Sequence, residues 1–155
     1  MDSKADPKAN CLQAIAQGLS GLTFTEHYDS HPTERSSCIW DYSAIADTVS
    51  GLREEFADRI KVGLGIEVCY QPTVMSEILE CLENHDFDFV LLSIHWCDNR
   101  PLHIRDMWTG LDYREMTRRY LETVLEALQF CLKLKEAGER PFDVLGHMDL
   151  VKRYT

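Results

Sequence analysis

Apolar positions along this chain recur at two periods, and the places where one gives way to the other predict its elements. Asp6-Pro7 reads as an N-cap followed by a first-turn proline, and Leu12, Ile15, Ala16 and Leu19 recur at helical spacing up to the interruption by Gly18 and Gly21. Leu22 to Thr25 is a short apolar, β-branched run that predicts a strand, and the polar segment 26–37 predicts a long loop. Ile45, Val49, Leu52 and Phe56 are spaced 4, 3 and 4, with Asp47, Arg53, Glu54 and Asp58 on the other face, which predicts a helix packed against a core. Val62, Leu64, Ile66 and Val68 alternate within a second strand, Ile60 to Val68, whose Gly63 and Gly65 imply close neighbours. A short helix follows over Thr73 to Asn84 with Met75, Ile78, Leu79 and Leu82 inward.

Phe87 to Trp96, FDFVLLSIHW, is apolar nearly throughout, as a parallel strand covered on both faces must be. A long amphipathic helix from Tyr113 to about Ala137 carries Met116, Tyr120, Val124, Leu128 and Cys131 on one side and stops at Gly138. A last strand spans Phe142 to Leu150. Strands alternating with helices in this way predict an α/β fold of about four parallel strands joined by right-handed crossovers.

Composition narrows the picture. A chain of 155 residues that is 45 % hydrophobic is long enough for one domain with its own core. Its 26 acidic against 16 basic residues give a net charge of −10, which argues against a nucleic-acid or anionic-membrane surface. An anionic substrate would then depend on a metal or a few placed bases. No apolar run reaches the ~18 residues of a membrane span and the N-terminus lacks a signal-peptide core, so a cytoplasmic protein is expected. The six cysteines form no C-x-x-C pair and are expected to be reduced.

Candidate chemistry lies at the strand ends, 23-TFTEHYD-29, 64-LGIEV-68, 92-LSIHW-96 and 145-LGHMD-149. Each apolar run delivers an ionisable group near its C-terminal end: His27, Glu67, His95 and His147. Parallel α/β folds gather those ends on one face, so residues 120 positions apart can meet. Neutral imidazoles and a carboxylate suit zinc, iron or manganese, and a carboxylate can bridge two cations. Alternation also puts Cys69 with Glu67 and Cys97 with His95, which makes a mixed sulfur and nitrogen zinc site conceivable, although space-filling is the expected role of both. His85, clear of the strand ends, is expected to face solvent.

TEHYD, the GIE of 65–67, DFDFVLLSIHW and FDVLGHMDLVKRY resemble the PHP (polymerase and histidinol phosphatase) family, in its histidinol-phosphatase branch. The resemblance implies a partial, distorted (β/α)7 barrel with a divalent metal cluster at the strand C-termini. It implies that His27 is a ligand, Glu67 a bridging carboxylate and His95 and His147 further ligands. The activity implied is hydrolysis of a phosphate monoester, histidinol phosphate to histidinol in histidine biosynthesis. The alternatives are a PHP phosphoesterase acting on another small phosphate or a nucleic-acid end, and an inactive interaction subunit. Arg153, Lys152, Arg105 and Arg100 are candidates for gripping phosphate oxygens, and Asp149 for proton transfer, for orienting a ligand or for capping the next helix. Tyr28, Asp29 and His31 fall in the loop after the first strand. Trp40, Trp96 and Trp108 are candidates for a pocket wall, with core packing expected of Trp96. The family's first strand carries His-x-His and its last Asp-x-His; this sequence has no His-x-His ahead of its first strand and no Asp-x-His after its last. Residues 1–155 are therefore expected to form a single incomplete PHP domain, with a metal cluster short of ligands and sheet edges open to self-association.

Overall fold

The structure, a computed structural model, describes residues 5–29, 41–104, 109–110, 112–139 and 142–153. His31, Trp40, Arg105 and Trp108 lie outside the described residues. The elements run α1 (Pro7–Ala16), β1 (Gly21–Tyr28), α2 (Tyr42–Phe56), β2 (Lys61–Cys69), α3 (Met75–Asn84), β3 (Phe89–Ser93), β4 (Trp96–Cys97), β5 (Arg100–Pro101), α4 (Tyr113–Glu136) and β6 (Val144–Leu145), with a 3-10 turn over Leu150–Arg153. Strands β1, β2, β3 and β6 form one parallel sheet in chain order. The expected alternation of helices with four parallel strands is therefore present.

Which residue faces which side follows from the two-residue strand repeat. Val62 and Leu64 pack with Cys11, Ala14, Val49, Leu52 and Phe56 of α1 and α2, while Ile66 and Val68 join Met75 and Ile78 of α3 and Tyr120 and Val124 of α4. The other face of β2 carries Gly63, Gly65, Glu67 and Cys69. A side chain at Gly65 would meet Thr23 at 2.8 Å and the Phe89 carbonyl at 2.9 Å, so glycine is what lets the neighbouring strands close up there. Asp side chains hold the sheet's lower ends. Asp88 accepts from Leu64 N at 2.7 Å and pairs with Arg53, and Asp143 accepts from Val90 N at 2.8 Å.

Several boundaries differ from expectation. β1 runs through Glu26, His27 and Tyr28, which pair in register with Ile66, Glu67 and Val68. Cross-strand bonding to β2 outweighs the polar composition of that segment. The third strand stops at Ser93, and the chain turns into a hairpin, β4–β5, through Asp98 (φ 52°) and Asn99 (φ 56°). Two consecutive left-handed residues are what a two-residue hairpin turn requires. Pairing in β6 covers only Val144 and Leu145 rather than Phe142 to Leu150; after Gly146 N donates to Leu92 O at 2.7 Å, the Leu150 and Lys152 amides turn back to His147 O and Asp149 O.

On α4 the buried stripe is Met116, Tyr120, Val124 and Ala127, while Leu128, expected inward, is exposed. Together with Leu121, Leu125 and Leu132 it forms a second apolar stripe that is 45–56 % exposed. α1 likewise buries Cys11 and Ala14 and leaves Leu12 exposed, and Leu19, beyond the helix end, is exposed too. α3 buries Cys81 beside Met75 and Ile78, with Leu79 and Leu82 half-buried. His85, expected to face solvent, is half-buried: its Nδ1 lies 2.8 Å from the Cys81 carbonyl and its ring centroid, tilted 50°, lies 4.3 Å from that of Tyr42. Trp96 is buried, as expected. Among the described residues no helix is long and apolar enough to cross a membrane.

Candidate metal centre

The parallel register sets His27 of β1 directly beside Glu67 of β2. His95 stands two residues past the end of β3 and His147 two past β6, so all four side chains arrive at the C-terminal rim of the sheet. Glu67 is the hub. Its Oε1 accepts from His147 Nε2 at 3.0 Å and lies 3.3 Å from His95 Nε2, while Oε2 lies 3.6 Å from His27 Nδ1. The His95 ring sits between the other two, with centroids 5.2 Å from His27 and 5.3 Å from His147. Side-chain exposure rises from 9 % at Glu67 through 15 % at His95 to 32 % and 35 % at His27 and His147, so the cluster opens to solvent on its imidazole side.

Ser93, which the sequence reading did not single out, completes the surroundings of Glu67. It is fully buried and its hydroxyl donates to Glu67 Oε1 at 2.5 Å. A second group outside the four is Asp29, whose Oδ1 is 3.1 Å from His95 Nδ1. The signal for both was strand alternation: Ser93 lies two residues before His95 and Asp29 two after His27, so each shares a face with a residue already chosen. Ending the first strand at Thr25 hid the Asp29 case.

Burial by itself would raise the Glu67 carboxyl, but the bonds from His147, His95 and Ser93 and the nearness of His27 outweigh it and hold the group well below the usual carboxylate range. His95 shifts the other way. Desolvation would lower it, yet hydrogen bonding to Asp29, Cys69 and Glu67 prevails and pushes the imidazole up.

The donor set fits a borderline divalent cation, since imidazole nitrogens and a carboxylate are the ligands such ions take. Ligand atoms of His27, Glu67 and His95 lie within 4.8 Å of one another. Donors around one ion at ~2.1 Å stand at most about 4 Å apart, so small side-chain shifts suffice. Asp29, Cys69 and His95 form a second group of the same kind. Cys69 accepts from the His95 amide at 3.2 Å, whereas Cys97 bonds Thr123 of α4 and is absent from both groups. Because the chain leaves the sheet after Ser93, alternation no longer carries Cys97 to the side of His95.

Asp149 and Lys152 are exposed and pair with each other at 3.4 Å. Arg153 is exposed on the 3-10 turn.

The chain is 29 % identical over 158 residues to the histidinol-phosphatase of Lactococcus lactis subsp. lactis, covering 99 % of this chain and 54 % of that protein. It is 29 % identical over 157 residues to the probable histidinol-phosphatase of Deinococcus radiodurans, covering 96 % and 56 %. The crystal structure of the Lactococcus lactis histidinol phosphate phosphatase in complex with zinc, L-histidinol and phosphate superposes with a TM-score of 0.82 at 28 % identity, over 99 % of this chain and 55 % of that one. The chain thus spans about half the length of these relatives. The model of the PHP domain matches residues 1–155, and with four parallel βα strands bringing histidines and a glutamate to one rim, the chain belongs to the PHP family.

Proposed function

We propose that this chain supplies the cation-binding part of a phosphate monoester hydrolase whose substrate is histidinol phosphate, hydrolysed to histidinol and phosphate in histidine biosynthesis. The observation that carries the reading is the gathering of three imidazoles around one buried carboxylate. The ligands named for the Lactococcus lactis structure, zinc, L-histidinol and phosphate, support it. His27, Glu67, His95 and His147 would hold one or more divalent cations, zinc, manganese or iron. Bound there, such a cation neutralises phosphate oxygens and lowers the pKa of water.

The chain's own residues set the conditions for that chemistry. Glu67 stays ionised because its hydrogen bonds outweigh its burial, and it therefore presents two acceptor oxygens to shared partners. Ser93 fixes one of those oxygens. Arg153, Lys152 and Arg105 are the groups assigned to the phosphate oxygens left uncovered, the guanidinium forks for their bidentate fit. Asp149, next but one to His147, is assigned to proton transfer at the leaving alkoxide. The described cysteines are all free, which fits a cytoplasmic enzyme.

Phosphate release from histidinol phosphate, measured with the purified chain in zinc or manganese, tests the reading. Release is expected, with a loss of about 100-fold or more in Glu67→Gln and His147→Ala. Equal rates in all three proteins would remove the site. Zinc binding without release of phosphate would keep the centre and show that this chain lacks the rest of the catalytic set.

A second reading, self-association, has its own support. β1 and β6 are the edges of the described sheet, and α4 shows its second stripe of exposed leucines.

A further inference from the structure

We propose that Asp29 is a positioning residue that fixes which nitrogen of His95 is offered to a cation. The inference deepens the reading of Glu67 as the hub of a metal centre and rests on it. His95 is held at three points. Its Nδ1 meets Asp29 Oδ1 at 3.1 Å, its Nε2 faces Glu67 Oε1 at 3.3 Å, and its backbone N–H donates to Cys69 Sγ at 3.2 Å. A neutral imidazole has one N–H and one lone pair, and an ionised carboxylate only accepts. With a cation in place of the Nε2 proton that Glu67 accepts in the metal-free protein, Asp29 keeps the Nδ1 proton and the lone pair lies on Nε2, the nitrogen turned toward Glu67. Both side chains of the pair are largely shielded, 15 % exposed for His95 and 18 % for Asp29, so water competes little for the bond. An imidazole that ligates through one nitrogen while donating the other N–H to a carboxylate is thereby oriented and made more basic.

The competing use of the same atoms is a cation held by Asp29, Cys69 and His95, whose ligand atoms also lie within 4.8 Å of one another. That arrangement needs the lone pair on Nδ1. One neutral ring cannot give a lone pair to both sides, so the two arrangements exclude each other unless the ring loses its last proton. The hydrogen-bond geometry favours Nε2: the His95 amide already occupies the Cys69 sulfur, and the other two imidazoles stand on the Glu67 side.

The experiment is zinc titration of the purified chain against a competing chelator, joined to long-range proton–nitrogen spectra of the histidine rings in the zinc-loaded protein. In the wild type the His95 ring should carry its proton on Nδ1. Asp29→Ala should weaken zinc binding about 10- to 100-fold, and Asp29→Asn, which keeps the shape and an acceptor oxygen, should recover part of the loss. Unchanged affinity and an unchanged His95 tautomer in Asp29→Ala would overturn the proposal. So would a thiolate-to-cobalt charge-transfer band in the cobalt-substituted protein, abolished in Cys69→Ala, because the cation would then sit on the Asp29 side. If instead Glu67→Gln and His147→Ala leave zinc affinity untouched, the Glu67 centre itself fails and the proposal falls with it. Loss in those two variants without loss in Asp29→Ala removes the positioning role alone. Melting curves separate misfolded variants, and the isosteric Asp29→Asn keeps the tautomer measurement informative if Asp29→Ala does not fold.

Discussion

Glu67 and His95 are shifted in opposite directions, Glu67 down chiefly by the bond from His147 and His95 up chiefly by the bond to Asp29, and the signs fix how the metal-free cluster responds to pH. The Glu67 carboxyl is depressed, so its contribution to stability is present above about 4.3, the unfolded value for Glu, and is lost as pH falls toward the folded value. The His95 imidazole is raised, so its contribution is full below about 6.5 and is lost as pH climbs toward the folded value. In chelator, the difference in melting temperature between wild type and Glu67→Gln should be greatest between those limits and shrink on either side. A difference that keeps growing above neutrality contradicts these signs. Gly146 supplies a second test. A Cβ there would lie 2.5 Å from Ser93 Oγ, and the hydroxyl can escape only by rotating off Glu67. Gly146→Ala should therefore cost roughly 1 kcal/mol of stability and weaken zinc binding. Because Ser93→Ala removes the same bond, the double variant should bind zinc no worse than Gly146→Ala alone; additive losses would show that the two residues act separately.

Among the elements, what the sequence made legible was whatever periodicity and composition decide locally. The α2 stripe of Val49, Leu52 and Phe56 is buried as its spacing implies, and the alternate residues Val62, Leu64, Ile66 and Val68 of β2 enter the core as read. What escaped was decided by partners distant in sequence. Glu26 to Tyr28 looks like loop and becomes strand because β2 offers it a full ladder. Leu128 sits on an apolar stripe of α4, yet the sheet accepts only the Tyr120 side of that helix. The β4–β5 hairpin was missed because Trp96 and Cys97 continue an apolar run, and the turn depends on two left-handed residues with no glycine to announce them. That conformation costs a residue with an ordinary side chain about 1–2 kcal/mol, with Asn among the residues that tolerate it. Asn99→Ala should lower stability by about 1 kcal/mol in denaturant unfolding, and Asn99→Gly should be neutral or better. Equal stability of all three proteins would mean the turn adjusts its φ values.

For the whole molecule, the four rim positions were readable because parallel βα order forces strand ends together whatever the sequence distance, whereas the spacing of Asp29 from His95 required the fold. The outer stripe of α4 bears on association. Leu121, Leu125, Leu128 and Leu132 are exposed without belonging to the core, so Leu125→Lys should leave the melting temperature nearly unchanged while reducing any concentration-dependent rise in mass seen by light scattering. A mass that stays high in the variant would put association elsewhere, at the sheet edges.

The three imidazoles reach Glu67 from three separate strands, and the last, His147, lies 80 residues further along the chain than Glu67. During synthesis, then, Glu67 emerges long before the last of its imidazole partners, and the cluster closes only once the segment through His147 has left the ribosome. A product that terminated between Glu67 and His147 would lack at least one of the three imidazoles around that carboxylate.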